Sequence, residues 1–122
     1  MKRIVVIDDN RLTLQIARDM LVKEGFDVAV ATNSGEAFNV ILDGEKPSLL
    51  VMDVTMPLIE GDKIVVALKG SKQTADIPIL FYSGRSSEEL ESLVKITGAN
   101  GYLTKSASHE ELISTVHNIL NH

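Results

Sequence analysis

The stretch Pro47 to Gly61, PSLLVMDVTMPLIEG, limits this chain more than any other. Four apolar residues, Leu49 to Met52, run straight into one carboxylate, Asp53, and a Met56-Pro57 turn then leads on to Gly61. Consecutive rather than alternating apolar residues suit a strand covered on both faces, as found in parallel sheets between helical layers. Asp53 then stands at the carboxyl end of that strand. In open α/β sheets the reactive crevice lies just outside those ends.

The remainder of the chain repeats this plan. Ile4–Ile7 is a β-branched and aliphatic run followed by Asp8, Asp9 and Asn10, a cluster suited to capping a helix. That helix carries Ile16, Ala17, Met20 and Leu21 and stops near Gly25. A shorter strand spans Val28–Ala31, and Asn33 with Glu36 reads as a capping box for a helix burying Ala37, Phe38, Ile41 and Leu42 and ending at Gly44. After the Asp53 strand, Ile64, Val65 and Leu68 mark a helix that ends near Gly70. Pro78 starts the strand Ile79–Tyr82, which Ser83 and Gly84 terminate. Ser86 with Glu89 reads as another capping box, before Leu90, Leu93, Val94 and Gly98. Gly101–Leu103 is the last strand, and Ser108 with Glu111 caps a helix striped by Leu112, Ile113, Val116, Ile119 and Leu120.

Five strand–helix alternations joined by short connections predict an α/β, doubly wound (βα)5 fold, a parallel five-stranded sheet with helices on both faces. The flavodoxin-like form of this fold has strand order 2-1-3-4-5. With that order the first and third strands are neighbours, and Asp8, Asp9 and Asp53 converge in one crevice, with Ser83 and Lys105 arriving from strands four and five. At 122 residues, the chain reads as one domain, 1–122. A net charge of −5 with no lysine and arginine cluster argues against direct nucleic-acid or anionic-membrane binding, and points to cations as ligands. No cysteine is present, and the amino-terminal apolar run is too short for a signal peptide or membrane span. A cytoplasmic protein is expected. The chain ends just past its fifth helical stripe, so no output domain is expected within it.

Three carboxylates in one crevice repel one another unless positive charge sits among them. An all-oxygen donor set suits a hard cation, Mg2+ before Ca2+. Zinc is not the expected ion, because His109, His117 and His122 show no ligand spacing and all lie in or beyond the last helix. With the metal and Lys105 neutralising charge, one carboxylate could attack a phosphoryl group, and Asp53, alone on its strand, is the candidate. Taken singly, each residue has a plainer reading. Asp8, Asp9 and Asn10 suit a cap, Asp53 a turn, Ser83 a loop, Lys105 a solvated surface and Tyr102 a core. Their coincidence at strand carboxyl ends favours a common site.

Asp8-Asp9 after the first strand, Asp53 in DVTMPLIEG, Ser83 after the fourth, and Tyr102 with Lys105 at the fifth together resemble the receiver domain of two-component response regulators, in its single-domain, chemotaxis-regulator form. The resemblance covers the whole chain. It implies that Asp53 accepts a phosphoryl group from a histidine kinase or histidine phosphotransfer protein. Asp9, Asp53 and the backbone carbonyl of Thr55 would bind Mg2+ directly, and Asp8 largely through water. Lys105 would contact the phosphoryl oxygens, Ser83 would be the switch hydroxyl, and Tyr102 the aromatic that moves inward with it. An effector, or a second copy in a phosphorylation-dependent homodimer, would dock on the face of helix four, strand five and helix five. Such a module signals rather than turns over substrate, catalysing only its own phosphorylation and slow dephosphorylation. Two positions depart from the family pattern. Ser106 stands where the family usually has proline after a cis bond, which costs on the order of 3 kcal/mol before a non-proline residue. Gly84 follows Ser83 where alanine is commoner. These departures motivate an alternative, a receiver-like interaction module independent of phosphorylation. A phosphatase of the haloacid dehalogenase type is a third reading, but its motif wants a second acid where Thr55 stands.

Overall fold

The structure is a computed structural model that describes residues 2–54 and 61–121, the side chains of residues 61–63 excepted. Its elements in order are β1 (Arg3–Ile7), α1 (Arg11–Lys23), β2 (Asp27–Ala31), α2 (Ser34–Leu42), β3 (Leu49–Met52), α3 (Gly61–Lys69), β4 (Ile79–Ser83), α4 (Ser87–Thr97), β5 (Gly101–Thr104) and α5 (His109–Leu120). All strand pairs are parallel, as the alternation predicts, and the order is β2-β1-β3-β4-β5, that of the flavodoxin-like form.

Because successive side chains of a strand point to opposite faces, each apolar run feeds two cores at once. Val5, Ile7, Leu50, Met52, Ile79 and Phe81 face one side, against Ala37 and Ile41 of α2, Ile64, Val65 and Leu68 of α3, and Leu90 of α4. Ile4, Val6, Leu49, Val51 and Leu80 face the other, against Leu14, Ala17 and Leu21 of α1 and Leu112 and Val116 of α5. Fully burying a side chain of this size contributes about 1.5–3 kcal/mol, which explains why runs with no polar residue specify this sandwich.

Helix ends separate the capping readings. Asn10 does cap α1, its side chain accepting from Thr13 N, and Ser108 with Glu111 forms a complete capping box. Asn33 accepts from Glu36 N, but the Glu36 carboxylate passes over Asn33 and binds Thr32 through its backbone N and its hydroxyl. Ser86 accepts from Glu89 N, while Glu89 reaches the Ser86 hydroxyl and not its backbone. Both expected boxes are therefore half-boxes, because the acid found a second hydroxyl partner close by. At the far end of α2, Arg3 of β1 donates to the carbonyls of Val40, Asp43 and Glu45, satisfying groups that the helix leaves open.

Register sets the site. Ile7 pairs with Met52 and Met52 with Phe81, so β1 and β3 end level, while Ser83 pairs with Thr104 one strand further on. The residues that follow these strand ends are Asp8, Asp53 and Lys105.

Candidate functional site

Backbone bonds carry the ladder one residue past each strand. Asp8 N donates to Ala31 O, Asp53 N to Ile7 O and Lys105 N to Ser83 O, at 2.8–3.1 Å. Each reactive side chain thus springs from a main chain held on a neighbouring strand.

From these anchors, one carboxylate oxygen each of Asp8, Asp9 and Asp53 come within 4.8 Å of one another. Asp8 and Asp53 are buried and Asp9 is exposed. Lys105 Nζ bridges the two buried acids, donating to Asp8 Oδ2 at 2.8 Å and to Asp53 Oδ2 at 2.9 Å. The other Asp8 oxygen accepts from Asn10 N at 2.9 Å. Asn10 therefore joins the first turn of α1 to the acid cluster.

The charges of this cluster are unequal in cost. Burial raises the pKa of Asp8 and Asp53 repulsion adds to it, against the opposing hydrogen bonds from Lys105 and Asn10 and the Lys105 charge. Burial alone would lower the pKa of Lys105, but its hydrogen bonds to Asp8 and Asp53 and their charges outweigh it, so the net shift is upward. The same ion pair thus favours the ammonium and still leaves the Asp8 carboxylate strained. The physical reason is sharing: Lys105 has two acids and keeps some water, whereas Asp8 is buried and has half an ammonium. Among the described residues three carboxylates converge beside one bridging ammonium, and three converging carboxylate oxygens suit a hard divalent cation such as Mg2+. Thr55, whose backbone carbonyl is expected to complete the metal set, lies outside the described residues, as do Met56 and Pro57.

A stability prediction follows. A carboxyl group whose pKa is raised by folding contributes most below its unfolded value, near 3.8, and that contribution is lost as pH rises through the folded value. At neutral pH ionised Asp8 therefore works against the fold. Asp8→Asn is expected to raise the Tm of the metal-free protein. Thermal melts in EDTA at pH 7 check this; a lower Tm would show that the ion pair outweighs desolvation.

Ser83 is fully buried, and its Oγ accepts from Arg85 N at 3.3 Å. Tyr102 is half-buried on the edge strand β5 and packs against the α2, α3 and α4 core. No peptide bond among the described residues is cis, so Lys105–Ser106 is trans. A hydroxyl bond of 2.6 Å between Thr104 and Ser106 spans Lys105 instead. Gly84 does not have a positive φ, and a Cβ there would meet nothing within 4 Å, so its backbone does not require glycine.

Two residues beside the site are not among those expected there. Tyr82 lines, with Asp8, Asp53, Thr13 and Ala17, a crevice with no room for water. Burial raises its phenol pKa; Lys105 lowers it and Asp8 raises it further. Period-2 alternation from Phe81 carried that signal. Arg85 places Nη2 3.5 Å from Val54 O, beside Asp53, and nothing in the local sequence marks that contact.

Comparison with known proteins identifies the family. The family described as response regulator receiver domain matches residues 4–117. Protein PilH of Pseudomonas aeruginosa is 31% identical over 120 residues, covering 98% of both chains. The transcriptional regulatory protein CpxR of Escherichia coli is 32% identical, and this chain spans 50% of its length. Among solved structures, the chemotaxis response regulator CheY4 of Vibrio cholerae is similar with a TM-score of 0.88 at 27% identity, covering 98% of each chain. A putative response regulator from Chloroflexus aurantiacus has a TM-score of 0.91 at 26% identity, covering 99% of this chain and 98% of its own. With the family matched over nearly all its residues and a relative above 30% identity along its length, this chain belongs to the response regulator receiver domain family.

Proposed function

We propose that the whole chain, 1–122, acts in the cytoplasm as one phosphoacceptor unit whose acceptor is Asp53. A histidine kinase or histidine phosphotransfer protein would be the donor. The observation that carries this reading is the Lys105 ammonium bridging Asp8 and Asp53, with Asp9 converging on the same point. A carboxylate oxygen of Asp53 forms the bond to phosphorus as the phosphorus–nitrogen bond of the donor breaks, and the imidazole, protonated on its other nitrogen, leaves as a neutral ring.

Asp8, Asp9, Asp53 and the Thr55 carbonyl would hold Mg2+, which supplies neutralisation of the carboxylates and of the phosphoryl oxygens. Lys105, already oriented by Asp8, would stabilise charge on the transferred group. Ser83 Oγ accepts from Arg85 N and still carries a hydroxyl proton to donate to a phosphoryl oxygen. Modification replaces the single Asp53 charge with a phosphoryl group of about −1.5 to −2, a net gain of about one negative charge, and the switch shifts only by contacts made better in the modified state. Tyr102, half-buried on β5, would move inward as Ser83 closes, altering the face of α4, β5 and α5 to which an effector or a second copy docks.

The test is intact mass. Wild-type protein incubated with Mg2+ and acetyl phosphate or phosphoramidate is expected to gain one phosphoryl group, and to gain none in EDTA. An unchanged mass with Mg2+ and both donors would overturn the reading.

A further inference from the structure

The β4–α4 loop carries a second cation toward Asp53. Arg85 is half-buried, two residues after Ser83, and among the described residues no carboxylate pairs with it. Its guanidinium instead rests on the carbonyl of Val54, the residue after Asp53, at 3.5 Å. A hydrogen bond of that length is weak and readily exchanged for a charged acceptor. The Arg85 backbone N–H meanwhile holds Ser83 Oγ at 3.3 Å. Ser83 and Arg85 are thus tied together, and Gly84 between them is exposed with open space where a Cβ would stand. Side-chain rotation of Arg85 would turn its guanidinium toward the crevice without disturbing the backbone N–H that holds Ser83 Oγ.

We propose that Arg85 is a second cationic ligand of the phosphoryl group, parked on Val54 in the unmodified protein and transferred to a phosphoryl oxygen in the modified one. This rests on Asp53 being the phosphoacceptor. The charge balance supplies the reason. With one divalent ion bound, Asp8, Asp9 and Asp53 would be neutralised by it and Lys105, leaving the unmodified site no need of another cation. Converting the Asp53 carboxylate to an acyl phosphate adds about one further negative charge. Lys105 is already committed to two acids. Arginine remains protonated throughout, and its planar fork can serve a phosphoryl oxygen and a carbonyl at once. Its contact with Val54 exists in both states or only before modification, whereas the phosphoryl contact exists only afterwards. The gain is therefore specific to the modified form and shifts the switch equilibrium toward it.

The experiment uses the full chain and two probes: Mg2+ alone, and Mg2+ with beryllofluoride, a phosphoryl mimic, each titrated by calorimetry. Arg85→Gln is expected to weaken beryllofluoride binding about tenfold or more, with Arg85→Lys recovering part of the loss. Mg2+ affinity without beryllofluoride should change by less than about twofold, the range for a residue outside the metal's reach. Wild-type beryllofluoride affinity in Arg85→Gln would overturn the proposal. Equal weakening of both probes would also overturn it, because Arg85 would then act only by propping the Val54 backbone. Should the wild type bind no beryllofluoride while binding Mg2+, the phosphoacceptor reading itself fails, an outcome separate from either Arg85 result.

Discussion

Asp53→Asn is expected to stay at its unmodified mass under conditions that load the wild type with a phosphoryl group. The amide matches the carboxylate in shape but has no anionic oxygen to attack phosphorus, so the effect should be all or none rather than graded. The same change removes one charge from the converging set and should weaken Mg2+ binding at least about tenfold. The fold itself should persist. Asp53 is anchored through its backbone N to Ile7 O, which the substitution leaves intact, and Lys105 keeps Asp8 as a partner. Intact mass after incubation with acetyl phosphate reads the first effect, and a thermal melt reads the second point. A loaded, folded Asp53→Asn protein would move the acceptor elsewhere, with Asp9, the exposed acid of the cluster, the next to substitute.

Lys105→Met should lower both stability and loading. Removing the ammonium leaves two nearly buried carboxylates facing each other, and breaking a buried pair in this way costs about 3–5 kcal/mol before protonation relieves it. Some relief is expected, since Asp8 already binds its proton more tightly than usual. The net loss in EDTA at pH 7 should be about 2 kcal/mol, a fall of several degrees in Tm. The pH dependence has a definite sign. Folding raises the pKa of Lys105, so its contribution is complete below the ordinary lysine value of 10.5 and is lost as pH rises through the higher folded value. Wild type and Lys105→Met should therefore differ by a constant amount around neutrality and converge in strong alkali. The difference should also narrow in acid, as Asp8 becomes neutral. Loading by acetyl phosphate should slow about 10²–10³-fold, the range for losing one preorganised charge donor. Denaturant melts across pH and timed intact masses measure the two quantities; unchanged loading would remove Lys105 from the site.

Much of the architecture was legible because it depends on side chains whose burial is decided by their own composition. Leu49–Met52 can only be a strand sealed on both faces, and the stripe from Leu112 to Leu120 can only be a helix with one buried side. The residues following each strand announced a crevice. Strand ends were legible to within one residue: β4 runs on to Ser83 and β5 to Thr104, because polar residues can still complete a ladder that apolar neighbours have begun.

Leu42, expected in the core, is exposed at the end of α2, whereas the capping failures share another cause. Glu36 bound Thr32 and Glu89 bound the Ser86 hydroxyl because a carboxylate takes whichever donor the local backbone turns toward it, and spacing alone cannot rank such donors. Arg3 closes the end of α2 from nearly forty residues away, and Arg85 reaches Val54 across two loops. Such contacts are invisible in a linear pattern.

The amino-acid order by itself determined the alternation, the two cores and the set of chemically capable groups, since these follow from periodicity and hydrophobicity within a dozen residues. Only the tertiary structure decided how those groups share charge: one ammonium between two acids, Asp8 buried beside an exposed Asp9, and an arginine parked next to the reactive carboxylate. Coulombic and desolvation energies depend on distances through space and on access to water, and neither is a property of sequence separation.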